Sequence, residues 1–343
     1  MSYKLTRTKH FSIKKIIVVF GFCQLLIANC LAHPGIGIVK DSKSNIYYTD
    51  LAQVWKLDPA TGKKTVVVPG VHTHELYMDA NDNLYGEHTW YNGEKLNTWG
   101  HYVWCLKQDG SLVKEIEPAE GFLNNYSFVR DKAGNMYWVE RFTVSRFMKK
   151  TPDGKISKLA EGKFNFISWL HCTDNGTIYF TESNKLQKLT PDGKIAVLAN
   201  DLKSKTTEFT MSGRDYDGYG IWTDAADNVY IAMIDAKKVT RISPSGKVDP
   251  IFFATSLWTP CSGIFDNEGN LWLMEFSVTN EARVRKIMPE ELKMSTDSSK
   301  TFARQAHLMI TSVTGIVILF VWFLLRSVIN KRINPRNQLR LNP

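Results

Sequence analysis

The sequence predicts an all-β fold, a six-bladed β-propeller, with an N-terminal signal segment and a C-terminal single transmembrane helix. One observation is a sequence motif that recurs six times: an apolar run, an Asp or Thr, a polar turn, and an aromatic residue six positions after the Asp or Thr. A second is that both ends of the chain differ in composition from the repeats between them. We therefore predict a signal peptide at 1–32, a propeller at 33–292, a linker at 293–307, a transmembrane helix at 308–325 and a basic cytoplasmic tail at 326–343.

The repeated sequence motif predicts the blades. Its Asp or Thr, here called the anchor, stands at Asp41, Asp79, Asp131, Thr173, Asp224 and Asp266. The aromatic residues are Tyr47, Tyr85, Tyr137, Tyr179, Tyr230 and Trp272. Successive anchors lie 38, 52, 42, 51 and 42 residues apart. Repeats of about 40–50 residues are typical of propellers, because one four-stranded blade cannot bury both faces without neighbours. We interpret the anchors as turn formers that cap the backbone, and not as catalytic residues.

The third copy shows the strands of a blade most clearly. Four short alternating runs are predicted at 127–131, 135–141, 144–150 and 155–161, and the turn before the last run is Thr-Pro-Asp-Gly at 151–154. The sixth copy lacks such a turn. We therefore expect the ring to close through a blade built from both ends of the chain.

The ends of the chain carry targeting and membrane signals. Residues 1–32 contain five basic and no acidic residues, and an apolar stretch from Ile16 ends at Ala32. This pattern predicts a secretory signal cleaved after Ala32, with an uncleaved anchor as the alternative. Leu308–Leu325 is eighteen residues without a charge, followed by a basic tail, which predicts a single span with the propeller on the extracytoplasmic side. The alternative is a buried core helix.

The charge and the cysteines exclude some functions. The net charge of +9 comes from the two ends, because the rest of the chain has 32 basic residues against 34 acidic ones. A domain with this balance does not indicate a nucleic-acid partner. Cys105, Cys172 and Cys261 lie outside the predicted signal and have no zinc spacing. We expect buried small hydrophobic residues there, and one disulfide stays open as an alternative.

A functional site is expected on one rim of the ring. Links from blade to blade and loops between second and third strands share that rim, and both long insertions, 88–101 and 201–217, fall there. Residues five positions before each anchor should surround the channel mouth: Ile36, His74, Tyr126, Ser168, Tyr219 and Cys261. With their neighbours they predict these ligand-binding residues: His74, Glu75, His88, Asn125, Tyr126, Ser168, Tyr219, Trp258 and Cys261.

Histidines are concentrated at this predicted rim, since four of the eight lie between residues 72 and 101. A neutral imidazole beside a carboxylate can bind a transition metal or act as a general base. We therefore predict His74 and Glu75 as catalytic candidates, and His72, His74, His88 and His171 as candidate metal ligands. Aromatic residues of the first insertion either stack on a ligand or pack the insertion against its blade: Trp90, Tyr91, Trp99 and Tyr102.

The blades resemble a known group of propellers. The segments GNMYWVE, GNLWLME and DNVYIAM resemble NHL repeats, and the repeat region resembles the six-bladed superfamily of SMP-30/gluconolactonase, strictosidine-synthase-like and paraoxonase enzymes. Residues 176–195 resemble a blade of streptogramin lyases. The resemblance to the lactonases implies a divalent cation, typically calcium, held by Asn, Asp and Glu at blade starts. In this chain none of the six matching positions is a carboxylate, and Asn125 and Asp217 lie one and two residues early.

Amidating lyases with an NHL fold use zinc bound by histidine, which His72, His74 or His171 would match. Two functions therefore remain open. The first is a membrane-anchored NHL/SMP-30-like propeller that binds a small molecule or an extracytoplasmic protein on the face with the two insertions. The second is a metal-dependent hydrolase of the lactonase or esterase kind, or a lyase, with zinc or calcium at the same channel mouth.

Overall fold

The computed structural model describes residues 35–202, 218–254, 257–277, 279 and 281–292, whose short antiparallel strands form six sheets. The predicted all-β, six-bladed propeller is therefore confirmed. The chain divides into two units. The first, Met1–Pro289, contains every described strand, and the second, Glu290–Pro343, has three described residues, 290–292, which are helical.

The blades follow one another along the chain. Blades one to three consist of β1 (Ile38–Lys40), β2 (Ile46–Thr49), β3 (Gln53–Leu57) and β4 (Lys64–Pro69); β5 (Leu76–Met78), β6 (Leu84–Tyr91), β7 (Trp99–Leu106) and β8 (Leu112–Glu120); and β9 (Met136–Glu140), β10 (Ser145–Lys150) and β11 (Ile156–Gly162). Blades four to six consist of β12 (Ile167–Cys172), β13 (Ile178–Glu182), β14 (Lys185–Leu189) and β15 (Ile195–Ala199); β16 (Gly218–Thr223), β17 (Val229–Met233), β18 (Lys238–Ile242) and β19 (Val248–Phe253); and β20 (Trp258–Phe265), β21 (Leu271–Ser277) and β22 (Ala282–Ile287).

Blade three lacks the full innermost strand that the sequence predicted at 127–131. That segment forms a single bridge between Arg130 and Met136. The Ser127 hydroxyl accepts a hydrogen bond from the Val129 N–H at 3.0 Å, and the Ser127 carbonyl accepts one from Arg130 Nε at 3.0 Å. Such local bonds compete with a strand ladder, which explains why the prediction of a full strand was wrong.

The anchors are turn formers, as predicted. In blade three the buried Asp131 carboxylate accepts hydrogen bonds from the Asn135 N–H at 2.9 Å, the Asn135 side chain at 2.7 Å and the Tyr137 hydroxyl at 2.8 Å. Thr173 differs, since its hydroxyl donates to Asn175 Oδ1 at 2.7 Å. The Asp anchors thus connect the turn to the second strand of the blade, while Thr173 stabilises its turn alone.

The ring closes by packing of blade one against blade six. The expected shared blade is not seen, because among the described residues blade six has three strands, all from the end of the propeller sequence. Ile38 of blade one lies in a buried cluster with Cys261 and Trp272 of blade six. Lys40 Nζ donates to the Phe265 carbonyl at 3.0 Å. Among the described residues, hydrophobic burial and this charged hydrogen bond therefore join the two blades.

The three cysteines of the propeller are free thiols. Cys105 and Cys261 are buried and Cys172 is partly buried. Burial raises the pKa of the Cys172 thiol to about 12, so it carries a proton at neutral pH. The prediction of small buried residues is confirmed, and the alternative of a disulfide is not realised among them.

Within the described part of the chain, no helix combines the length and the apolar character needed to span a bilayer. The predicted signal segment 1–32, linker 293–307, transmembrane helix 308–325 and tail 326–343 lie outside the described residues. So does the second insertion, 201–217, apart from its first two residues.

Candidate functional site

One rim of the propeller carries both the links into each innermost strand and the hairpins between second and third strands. This follows from the antiparallel order of the strands in each blade. We call it the hairpin rim. The longest hairpin, β6–β7, projects there, because pairing continues to Tyr91 and Trp99 and leaves residues 92–98 as the loop. Half of the predicted insertion 88–101 is therefore an extension of two strands.

The inner face of this hairpin is packed. The His88 ring stacks with Trp90 at 5.7 Å between centroids and contacts Tyr102 at 5.0 Å. A Cβ at Gly100 would lie 2.2 Å from the Trp90 ring, so a side chain has no room there. Trp90 and Tyr102 therefore hold the hairpin together, which is one of the two roles that the sequence left open.

The outer face of the hairpin is exposed. Tyr91 and Trp99 are 41 and 38% exposed, and their rings contact each other at 5.1 Å. Phe122, from the link into blade three, stacks on Trp99 at 5.8 Å and is 64% exposed. These rings thus form an apolar strip on the hairpin rim.

The link 72–75 enters blade two at the channel mouth and is held by its backbone. The His74 N–H donates to Glu87 Oε1 at 2.6 Å, and the His74 carbonyl accepts from the Ile36 N–H at 2.9 Å. The His72 N–H donates to His88 Nδ1 at 2.8 Å. Blades one and two therefore both fix the positions of the predicted catalytic candidates His74 and Glu75.

Glu75 points toward blade three. The next residue, Leu76, packs in a cluster with residues of blade one, and Tyr77 contacts Arg130 of blade three, with 4.5 Å from the ring to the guanidinium carbon. Because side chains alternate along a strand, Glu75 lies on the side of Tyr77. It therefore faces the blade whose innermost strand is reduced to a bridge.

Glu75 has an unusual acidity. Burial and, to a smaller extent, the negative charge of Glu87 raise its pKa from 4.5 to about 7, against the opposing positive charges of His74 and Arg141. A carboxyl group with this pKa is protonated for part of the time at neutral pH. Strongly shifted groups in a cleft are typical of functional sites.

Glu87 completes the acidic pair and was missed in the sequence. It is 6% exposed, and its Oε1 also lies 3.1 Å from His74 Nδ1. Its Oε2 is buried without a hydrogen-bond partner among the described residues. The sequence feature that could have identified Glu87 is its place near the end of the second copy of the motif. It stands one position earlier than Glu140 and Glu182 do in their copies.

Arg141 also belongs to the mouth and was not predicted. It follows β9 of blade three, and its Nε and Nη2 donate to the Ile167 carbonyl of blade four at 3.3 and 3.2 Å. Burial lowers the pKa of its guanidinium, and the charge of Glu75 raises it. We call His74, Glu75, Glu87 and Arg141 the mouth cluster.

Two predicted binding residues make no contact with this cluster among the described contacts. Asn125 is exposed with φ of 60°, and its carbonyl lies 3.5 Å from Lys150 Nζ. Tyr126 contacts Arg130, with 4.9 Å from the ring to the guanidinium carbon, and burial raises its pKa to about 12. Neither residue is brought to His74 and Glu75 by the contacts described.

Three other predicted binding residues lie at register shifts in the innermost strands of their blades. The strand register shifts around Ser168 in β12, Tyr219 in β16 and Cys261 in β20. A bulge adds one residue and changes which way side chains point. Cys261 is thereby fully buried, with its thiol 3.4 Å from the Met274 carbonyl, and Trp258 packs on Arg283, with 4.0 Å from the ring to the guanidinium carbon.

Within the described part of the chain, the predicted histidines do not form a closed set of metal ligands. Among the described residues, no group of three His, Cys, Asp or Glu is arranged to hold a metal ion. The His72 and His74 rings touch edge to face at 4.7 Å, while His88 Nδ1 accepts the His72 N–H. His171 Nε2 lies 3.0 Å from Thr223 Oγ1, and burial lowers the pKa of His171 to about 4. Zinc or calcium at this mouth stays a prediction.

Comparison with known proteins gives the fold. No protein-family model and no curated protein matches the chain. A solved luciferin-regenerating enzyme is 12% identical, covers 75% of this chain and 92% of its own, and has a TM-score of 0.52. A virginiamycin B lyase from Staphylococcus aureus is 15% identical over 74% of this chain and 85% of its own, with a TM-score of 0.41.

A calcium-binding regucalcin from Agrobacterium tumefaciens str. C58 is 14% identical over 70% of this chain and 81% of its own, with a TM-score of 0.47. At these identities the likeness concerns the fold, and the chemistry of a propeller depends on its site residues. The chain is a six-bladed β-propeller, and the solved structures similar to it include a luciferin-regenerating enzyme, a regucalcin and a virginiamycin B lyase.

Proposed function

We propose that this protein is a membrane-anchored propeller that binds a small molecule, or an extracytoplasmic protein, at the channel mouth on the hairpin rim. The observation that carries the proposal is the mouth cluster. Blade two supplies His74, Glu75 and Glu87, and blade three supplies Arg141, whose charge acts on Glu75. Interacting ionisable groups with a strongly shifted pKa are a common mark of a functional site.

The chemistry of the cluster suits a polar ligand. Glu87 offers a carboxylate oxygen, and Glu75, with a pKa of about 7, can accept or donate a proton. Arg141 adds a positive charge at the same opening. Such a set recognises a ligand through charge-assisted hydrogen bonds, which are stronger than bonds between neutral groups.

The membrane anchor is supported by the uncharged stretch 308–325 and the basic residues after it. The last strand, β22, follows a hairpin on the hairpin rim and so ends at the opposite rim. We expect the full chain to remain in the membrane pellet after an alkaline wash and a chain ending at residue 307 to be released. Release of the full chain would refute the anchor.

Ligand retention tests the binding proposal. Immobilised full-length protein in detergent is incubated with a small-molecule extract of the source cells, washed, and analysed by mass spectrometry. We expect at least one compound to be retained by the wild type and roughly tenfold less by Glu75→Gln, because the site loses a charge. Glu182→Gln, in blade four, serves as the control and should retain it. Identical profiles for wild type and Glu75→Gln would contradict the proposal.

The same experiment separates the second candidate, a hydrolase or lyase. The pKa of Glu75 near 7 favours it, since a general base works best when its pKa lies near the working pH. An enzyme would release the retained compound, or added lactones and esters, as products, and Glu75→Gln would remove that turnover. Release of unchanged compound only would leave the binding function alone.

A further inference from the structure

Three second strands of this propeller carry a buried glutamate near the hairpin rim. They are Glu87 in β6, Glu182 in β13 and Glu275 in β21, which are 6, 9 and 0% exposed. A buried carboxylate is costly unless hydrogen bonds or opposite charges satisfy both oxygens. Glu87 lies one position earlier in its repeat than Glu182 and Glu275 do in theirs, so it lies on the opposite face of its blade, but the same requirement holds for all three carboxylates.

Two of these glutamates are satisfied by the protein. Glu182 Oε1 accepts the Asn165 N–H at 3.1 Å, and its Oε2 accepts the Gln187 side-chain amide at 2.7 Å. Glu275 Oε2 accepts from Arg283 Nε at 2.9 Å, and its Oε1 accepts from Arg285 Nη2 at 3.3 Å. In both blades the donors to Oε2 come from the third strand of the same sheet.

Glu87 is different because no side chain from the third strand of blade two donates a hydrogen bond to its carboxylate among the described contacts. Its cross-strand partner is Val103, which is fully buried and apolar. Oε1 is used by the His74 N–H, and Oε2 has no partner among the described residues. The other buried side-chain atoms without a partner there are hydroxyl groups of Tyr and Thr and N–H groups of Trp and Arg. Glu87 Oε2 is thus the one carboxylate oxygen in this state in the described chain.

The surroundings of Glu87 favour a cation. Glu75 stands on the same side of blade two, and the two carboxyl groups repel each other. Arg141 is the nearby guanidinium of the mouth cluster, and its Nε and Nη2 are occupied by the Ile167 carbonyl. An additional positive N–H donor would satisfy Glu87 Oε2 and reduce the repulsion between the carboxylates.

We infer that the ligand of the mouth cluster presents a protonated amine or a guanidinium, which donates to Glu87 Oε2 beside Glu75. Blade six shows the same solution within the protein, where guanidinium groups of the chain itself satisfy Glu275. In blade two the ligand supplies the group that the third strand lacks. The inference rests on the proposed binding function and specifies the ligand class for that site.

The test uses three small probes with the full chain in detergent micelles. The n-butylammonium ion is a cation with N–H donors, tetramethylammonium is a cation without them, and 1-butanol is a neutral donor. Binding is measured by ligand-observed NMR and by the shift in melting temperature. We expect n-butylammonium to bind the wild type more tightly than either other probe.

The variants assign the binding to one oxygen. Glu87→Gln keeps an acceptor for the His74 N–H and should weaken n-butylammonium binding by roughly 10- to 100-fold, the usual effect of losing one hydrogen bond to a charged group. The matched control Glu182→Gln should bind n-butylammonium as the wild type does. Equal binding of n-butylammonium and 1-butanol by the wild type, no binding of either, or unchanged binding by Glu87→Gln would overturn the inference.

Failure of this inference differs from failure of the proposed function. If Glu75→Gln still loses a compound from the cell extract while no probe amine binds, the site binds ligands of another class. If wild type and Glu75→Gln retain the same compounds, the binding function itself fails.

Discussion

Above pH 7, Glu75→Gln should make the protein more stable than the wild type, by about 3 kcal/mol in free energy of unfolding. The pKa of Glu75 is about 7 in the folded protein and near its ordinary value of 4.5 in the unfolded chain. Between these values the folded state binds more protons, so wild-type stability falls as pH rises from about 4.5 to 7. A neutral glutamine removes this dependence, because it has no charge to bury.

Urea unfolding at pH 5, 6, 7 and 8 measures this effect. The difference between Glu75→Gln and the wild type should be small at pH 5 and largest at pH 8. Glu182→Gln is the control, since its carboxylate is hydrogen-bonded at both oxygens and its loss should give no gain in stability. A constant difference between Glu75→Gln and wild type across this pH range would contradict the pKa assigned to Glu75.

Replacing Arg283 and Arg285 together by Gln should lower the free energy of unfolding by about 3–5 kcal/mol. Glu275 is fully buried, with Arg283 Nη2 at 2.8 Å and Arg285 Nε at 3.1 Å. Without both guanidinium groups its charge would remain buried without a countercharge. Either single replacement should cost less, because the other arginine still pairs with Glu275.

A third substitution, Glu275→Gln, tests the origin of that loss. Adding it to the double variant removes the buried charge, so more than half of the lost stability should return in urea unfolding experiments. If the triple variant is as unstable as the double variant, the arginines act through packing on Trp258 and Phe252, which their guanidinium groups contact at 4.0 and 5.3 Å.

The two expected results have opposite signs for a physical reason. Glu275 is neutralised by the protein, so its partners contribute to stability. Glu75 and Glu87 face each other without full compensation, which lowers stability above the pKa of Glu75. Stability is commonly reduced at groups kept for function, because they are arranged for a ligand and not for the folded chain alone.

Much of the fold followed from local patterns. The anchor and the aromatic residue six positions later form one hydrogen-bonded unit, as with Asp131 and Tyr137, so their repetition identified the blades. The long segment between the second and third strands of blade two also identified the insertion 88–101. The free thiols agreed with the absence of any cysteine pattern. These features depend on residues within a few positions of one another.

The candidate site was predicted only in part. His74 and Glu75 were identified because a link and a strand start can be recognised in the repeat. Glu87 and Arg141 were missed, since their roles come from contacts with other blades or links, and Cys261 lies in the core because a bulge turned it there. A bulge leaves no sign in a repeat that is aligned by its anchors.

The repeat in this chain was enough to establish six small sheets in a ring, because each blade follows from turns and strands that are short-range in sequence. Contacts across blades decided which groups meet at the channel mouth. Arg141, which follows β9 of blade three, acts on Glu75 by its charge, and Val103, the cross-strand neighbour of Glu87, offers no donor to Glu87 Oε2. Such pairings depend on strand register and bulges in three dimensions, and a linear pattern does not contain them.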